Sequence, residues 1–260
     1  MELERETGWQ LHPIGGDTGQ AYMGTKDEER LFLKRNSSPF LAALSLEGIS
    51  PKLVWTKRIG NGDVLAAQEW CNGRTLYKKE MNSSDVTQIV QKVHLSKSLK
   101  RMLHRLGGKV CSPIDFYREC VVGLDSELSR LPVIEQAIQF LKNNIPEDID
   151  LSEKVVCHGD ISHKNLLLSS EEDLLLVDWD SSLLADPLYD ISQLLERYIP
   201  FEEWEEWLSQ FDYVSESKES LYWYSILNVL QDIKTDFIKK NERHLNKNLI
   251  KLNDLLTIYE

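Results

Sequence analysis

Hydrophobic and polar positions change their rhythm along this chain. Short apolar runs broken by turn residues fill the first 72 positions, and helical spacing dominates afterwards. Leu11 to Lys34 reads as strand, glycine-rich turn, strand, charged turn and strand. Gly15-Gly16-Asp17-Thr18-Gly19 forms the first turn and Leu31-Phe32-Leu33-Lys34 ends the third strand. Asn36-Ser37-Ser38-Pro39 is a helix-start signature, so Phe40 to Glu47 is predicted as a short helix closed by Gly48. Pro51 opens a strand over Lys52–Arg58, Gly60-Asn61-Gly62-Asp63 is a hairpin turn, and Val64–Trp70 is the returning strand.

Beyond these strands, Ser83-Ser84-Asp85 caps a helix running to Leu106 and broken by Gly107-Gly108. Pro113 to Asn144 reads as loop then helix, and Lys154–Cys157 and Leu174–Val177 as short apolar strands. From Phe201 the chain is helical and aromatic, and Trp204, Trp207, Phe211, Tyr213, Tyr222, Trp223 and Tyr224 are expected to be mostly core. Glu202, Glu203, Glu205 and Glu206 form a solvated face beside them, although aromatics interleaved with acids can also cage a quaternary ammonium. Lys239–Lys251 is expected as a plain exposed helix. The pattern predicts an α+β, bilobal chain: a small antiparallel sheet first, a larger helical part after it.

The chemistry concentrates in Val155 to Asp180. His158-Gly159-Asp160 is followed by Asn165 five residues after the aspartate, and by Asp178 after an apolar run. Phosphoryl transfer from ATP needs a carboxylate to orient or deprotonate the acceptor hydroxyl and two oxygen ligands to hold Mg²⁺ on the phosphates. Asp160, Asn165 and Asp178 have the order and spacing of the protein-kinase catalytic loop and its downstream metal aspartate. A lone His-Gly-Asp is often only a turn, and that reading accounts for any one element but not for the set. His158, Asp160 and His163 could instead ligate a transition metal, but no further His/Cys cluster accompanies them.

With His-Gly-Asp where protein kinases carry His-Arg-Asp, then Asn165 and Val177-Asp178-Trp179-Asp180, the chain resembles the aminoglycoside phosphotransferase and choline kinase family. Asp180 stands where that family has glutamate. The resemblance implies a bilobal protein-kinase-like fold, with residues 1–72 as the ATP-binding lobe and hinge and 73–260 as the helical catalytic and acceptor-binding lobe. It implies Asp160 as base, His158 as a buttress of its loop, and Asn165 and Asp178 as Mg²⁺ ligands, with Asp180 beside them. It further implies Lys34 on the ATP phosphates, Glu47 as the helix acid that pairs with that lysine, and Gly15, Gly16 and Gly19 as the phosphate-covering turn. Backbone groups of Glu69 and Cys71 would hold the adenine edge, and Asp190 would brace the catalytic loop. Plain readings compete at several positions: a hairpin turn at 15–19, a solvated Lys34, a surface Glu47 and a helix-capping Asp190.

Composition narrows the partners. The chain has 260 residues, 42% hydrophobic and 28% charged, with a formal net charge of −12. Such an acidic balance argues against broad nucleic-acid or anionic-membrane binding and mildly favours a cationic acceptor. Four scattered cysteines without a CxxC are read as reduced thiols. No apolar run reaches membrane-spanning length, and a cytoplasmic location is expected.

Further stretches resemble one branch of the same family, the cell-cycle regulator kinases of Gram-positive bacteria. They are Gly19-Gln20-Ala21-Tyr22-Met23-Gly24, Ser50-Pro51-Lys52-Leu53-Val54-Trp55, Gln68-Glu69-Trp70, Val177-Asp178-Trp179-Asp180-Ser181, Glu206-Trp207-Leu208 and Tyr222-Trp223-Tyr224. That resemblance implies a pentose or nucleoside hydroxyl as acceptor before an amino alcohol, and a cell-division or replication protein as partner. The competing expectation is a regulatory scaffold that keeps the kinase-like fold and acts by binding.

Overall fold

The computed structural model describes residues 2–14, 20–60, 62–214 and 217–259. The elements begin with α1 (Glu2–Thr7), β1 (Gln10–Pro13), β2 (Ala21–Lys26), β3 (Glu29–Arg35), α2 (Phe40–Leu46), β4 (Leu53–Arg58), β5 (Val64–Glu69) and β6 (Gly73–Thr75). Next come α3 (Ser84–Leu95), α4 (Lys97–Arg105), α5 (Pro113–Val121), α6 (Ser126–Ser129), α7 (Pro132–Asn143), β7 (Val155–Cys157), β8 (Leu166–Ser169) and β9 (Leu174–Leu176). The chain closes with β10 (Leu183–Ala185), α8 (Leu188–Tyr198), α9 (Trp204–Leu208), α10 (Lys218–Ile238) and α11 (Glu242–Tyr259). The fold is the expected α+β one, with a small antiparallel sheet and a larger helical part. Among the described residues, no helix is long and apolar enough to cross a membrane, and all four cysteines are free.

The chain forms two compact units, each from two segments. One comprises Met1–Gly107 with Ser162–Ser182. Its main sheet is antiparallel in the order β1-β2-β3-β5-β4. Alternation along β3 turns Leu31 and Leu33 inward, where they meet Trp9, Ile59, Leu65 and Ala67 in one apolar cluster. A second antiparallel sheet, β6-β8-β9, carries the segment leading to Asp178. Gly73 permits its closest approach, since a Cβ there would lie 2.1 Å from the Leu168 carbonyl oxygen. The helix expected up to Leu106 is two helices, because Ser96 ends α3 and caps α4 by accepting the Leu99 amide at 3.1 Å.

The other unit comprises Gly108–Ile161 with Leu183–Glu260. Here β7 and β10 form a two-stranded antiparallel sheet, and the rest is helical. A helix, α5, occupies part of the stretch expected as loop, started by a Ser112–Asp115 capping box with Pro113 in its first turn. The aromatic expectation holds for Trp204, Trp207, Phe211, Trp223 and Tyr224, which are buried, while the four neighbouring glutamates are exposed. Lys239–Lys251 holds no buried residue, as expected, but it is not one helix, since α10 ends at Ile238 and α11 starts at Glu242. Lys240 takes a positive φ of 54° between α10 and α11, and α11 buries Leu252, Leu255 and Leu256. Its apolar face repeats beyond the Lys/Asn-rich stretch on which the exposed reading rested.

Candidate active site

A cavity of about 580 Å³ lies within the first unit, lined by residues of β2, β3, the β5–β6 connection and the segments flanking β8 and β9. Lys34, Glu69, Cys71, Asn165, Asp178 and Asp180 all line it. Its size is in the ordinary range for a small-molecule site.

Antiparallel pairing places Lys34 opposite Ala66 at the end of β3. Its ammonium donates to Asp178 Oδ1 at 2.8 Å and to Asp180 Oδ2 at 2.7 Å. Burial alone would lower the lysine's pKa, but hydrogen bonds and charge from the two aspartates outweigh it and the net shift is upward. The pairs are charge-assisted but unevenly buried, with Lys34 17% exposed and the aspartates 54% and 57%.

The aspartates are aimed by what lies between them. Asp178 has φ 65° and ψ 67°, a left-handed conformation uncommon for a residue with a Cβ. Trp179 follows in a 3₁₀ turn, buried, with its indole N–H donating to the Leu176 carbonyl at 2.9 Å and its ring set edge-on against Phe40 at 5.9 Å. This anchored ring separates the two carboxylates along the chain while both return to one lysine. Asn165 is brought alongside by its own backbone, whose carbonyl accepts the Val177 amide at 2.9 Å.

Asn165, Asp178 and Asp180 thus line one cavity, and the two aspartates converge on a single cation. Oxygen ligands of this kind suit a hard divalent ion, and Lys34 stands where positive charge is already stabilised. Asn165, Asp178 and Asp180 fit a magnesium ion by this donor set.

At the far end of the lining, Glu69 donates its amide to the Lys52 carbonyl at 2.8 Å and pairs with the Lys52 ammonium at 3.2 Å. Cys71 lies on the connection to β6, and burial with the charge of Asp173 raises its thiol pKa. Glu47 lies outside the lining residues. It caps α2 and accepts the Ser96 hydroxyl at 2.8 Å, whereas the ion pairs of Lys34 among the described residues go to Asp178 and Asp180. Gly15, Gly16 and Gly19 lie outside the described residues.

In the second unit, β7 delivers His158, Gly159 and Asp160. Gly159 takes φ 85°, a backbone state that glycine adopts without strain. The buried Asp190 accepts the His158 amide at 2.7 Å and the Gly159 amide at 2.9 Å. The bracing expected of Asp190 is therefore observed, and the local capping falls to Asp186, which accepts the Leu188 amide at 2.8 Å. His158 is fully buried and its Nδ1 accepts the Asp160 amide at 3.2 Å, so this nitrogen shapes the loop rather than being directed to a metal.

Sequence reasoning missed Gln193 and Arg197. Gln193 accepts the Ile161 amide at 2.9 Å and donates to the Gly159 carbonyl at 3.1 Å. Arg197 donates to the Ile161 carbonyl at 3.0 Å. Their signal was present: Asp190, Gln193 and Arg197 follow the i, i+3, i+7 spacing of one helical face in an otherwise largely apolar helix.

Comparison with known proteins agrees with this architecture. Among solved structures, choline kinase LicA from Streptococcus pneumoniae superposes with a TM-score of 0.73 at 17% identity, over 99% of this chain and 96% of that one. The apo form of a thermostable mutant of aminoglycoside phosphotransferase APH(4)-Ia gives 0.70 at 13% identity, over 99% and 98%. A choline/ethanolamine kinase family protein from Mesorhizobium loti gives 0.64 at 15%, over 95% and 88%. These likenesses establish a bilobal protein-kinase-like fold. Residues 10–220 match the profile of the Phosphotransferase enzyme family, and the chain belongs to that family. Among curated proteins, mouse acyl-CoA dehydrogenase family member 10 is 33% identical over 78 residues, a match covering 29% of this chain and only 7% of that protein.

Proposed function

We propose that this chain is an ATP- and Mg²⁺-dependent kinase that transfers the γ-phosphoryl group to a hydroxyl of a small molecule. Residues 1–72 serve as the ATP-binding lobe and 73–260 as the catalytic and acceptor-binding lobe. The observation that carries the reading is the convergence of Asp178 Oδ1 and Asp180 Oδ2 on Lys34 in a cavity also lined by Asn165.

In this reading Asp160 accepts the acceptor's hydroxyl proton as its oxygen bonds to the γ-phosphorus, the bond to the β–γ bridging oxygen breaks, and ADP leaves. His158 and Asp190 fix the loop that presents Asp160. Lys34 turns from its aspartates to the phosphates, and the Glu69–Cys71 backbone receives the adenine edge. Magnesium, when bound by Asn165 and Asp178 with Asp180 beside them, would shield the phosphate charge.

The acceptor is a pentose or nucleoside in first place and an amino alcohol in second, ranked by the sequence resemblance to cell-cycle regulator kinases. The same resemblance supports a role in bacterial cell-cycle control and contact with a division or replication protein. ADP release measured against sugars, nucleosides, amino alcohols and aminoglycosides, with and without Mg²⁺, tests the reading. One class should give Mg²⁺-dependent ADP together with a phosphorylated product; ATP left unconsumed across the whole panel would overturn it.

A further inference from the structure

Arg197 sits on α8 with its side chain 19% exposed. It is held from two sides. Nε and Nη2 donate to the two Asp232 oxygens of α10 at 3.2 and 2.7 Å, a forked pair that fixes the guanidinium plane. Nε also lies 3.0 Å from Oε1 of Glu196, whose other oxygen is paired with Lys251 of α11 at 2.5 Å. Burial would lower the arginine's pKa, but Asp232 and Glu196 outweigh it and raise it further.

With the plane fixed, the remaining nitrogen has a determined place. Nη1 donates to the Ile161 carbonyl at 3.0 Å and lies 3.5 Å from Asp160 Oδ1. Burying an arginine costs several kcal/mol unless its donors are matched, and the Asp232 fork with Glu196 already compensates its charge. The third arm spends a donor on the loop carrying Asp160, whose own carboxylate is 55% exposed.

We infer that Arg197 is a positioning residue. Clamped by Asp232 and by the Glu196–Lys251 pair, it holds the Asp160–Ile161 end of the loop and restricts the orientation of the Asp160 carboxylate. The inference rests on the reading of Asp160 as the base. It extends the loop's support from α8 to α10 and α11, so the C-terminal helix takes part in setting the site.

Arg197→Lys separates positioning from charge. It keeps a cation beside Asp232 and Glu196, but one ammonium cannot form the fork and still place a donor on Ile161. The full-length variant is compared with wild type by thermal melting, by hydrogen exchange of the amides of residues 158–161, and by ADP release with ribose, adenosine, choline, ethanolamine and kanamycin as probes. The expected result is a cooperative melt near that of wild type and about tenfold faster exchange in that segment. kcat should fall about 10- to 100-fold at unchanged KM for ATP. A folded variant with unchanged exchange and unchanged turnover overturns the inference. If Arg197→Lys does not fold, Asp232→Asn, which releases one arm and keeps the arginine, is read in the same way, and unchanged exchange there overturns it too. If wild type releases no ADP with any probe, the kinase reading is what fails, and the exchange measurement alone decides the role of Arg197.

Discussion

Removing the carboxylate of Asp190 should damage the site without touching any group that meets substrate. Asp190 is 1% exposed and accepts two amides, from His158 at 2.7 Å and Gly159 at 2.9 Å. Hydrogen bonds to a charged group contribute about 1.5–3 kcal/mol each, and a buried donor left without a partner costs about 1–3 kcal/mol. Relief from burying the carboxylate offsets part of this, so Asp190→Ala should lose roughly 3 kcal/mol. For a chain of this size that lowers the thermal midpoint by roughly 6–12 °C. Asp190→Asn should fall less, because its amide oxygen still serves one N–H while its NH₂ faces the other donor. Thermal melting by circular dichroism, with ADP release at a temperature where both variants are folded, gives the two readouts. Turnover should fall together with stability, since the freed amides belong to the two residues immediately before Asp160. An Asp190→Ala protein melting within a degree or two of wild type would refute the bracing argument.

Gly159→Ala forces a Cβ into φ 85° and should cost about 1–3 kcal/mol with a loss of turnover, checked by the same melts; unchanged stability would show that the turn relaxes. Lys34→Met should weaken binding of the Mg²⁺ complex of AMP-PNP by about 10- to 100-fold, the worth of a lost charge-assisted contact, and leave the melt nearly unchanged; calorimetry showing wild-type affinity would contradict the phosphate role. Burial raises the pKa of Glu196 against the pull of Lys251 and Arg197. The folded chain therefore holds that proton more tightly than the unfolded one. Its contribution to stability is full below the ordinary 4.5 and is lost as pH climbs through the raised value. Glu196→Gln should flatten that part of a melting-temperature profile, and an identical slope in both proteins would count against it.

The sequence exposed what depends on near neighbours. The β2–β3 and β4–β5 hairpins were legible because turn residues separate apolar runs of strand length, and α2 because Ser-Pro precedes it and Gly48 follows. His158-Gly159-Asp160, Asn165 and Asp178 were legible because they cluster around short strands. The α3–α4 break was marked only by Ser96, a residue also tolerated within helices, and the Ser112-Pro113 start of α5 was present but read as loop. Pairing of β6 with β8 joins residues 73–75 to 167–169, which no local pattern encodes. The Arg197 network joins three helices through residues 197, 232 and 251, and each of these charges alone looks like a solvated one. The convergence of Lys34 on both Asp178 and Asp180 likewise required the folded chain.

Transfer of labelled γ-phosphate by wild type and by Asp160→Asn, side by side across the acceptor panel with Mg²⁺ present, reaches the central claim most directly. Wild type should label one hydroxyl compound. Asp160→Asn should label it about 10²- to 10⁴-fold more slowly while binding AMP-PNP as tightly as wild type. Near-wild-type transfer by Asp160→Asn, or labelling of no hydroxyl compound by either protein, would contradict the account.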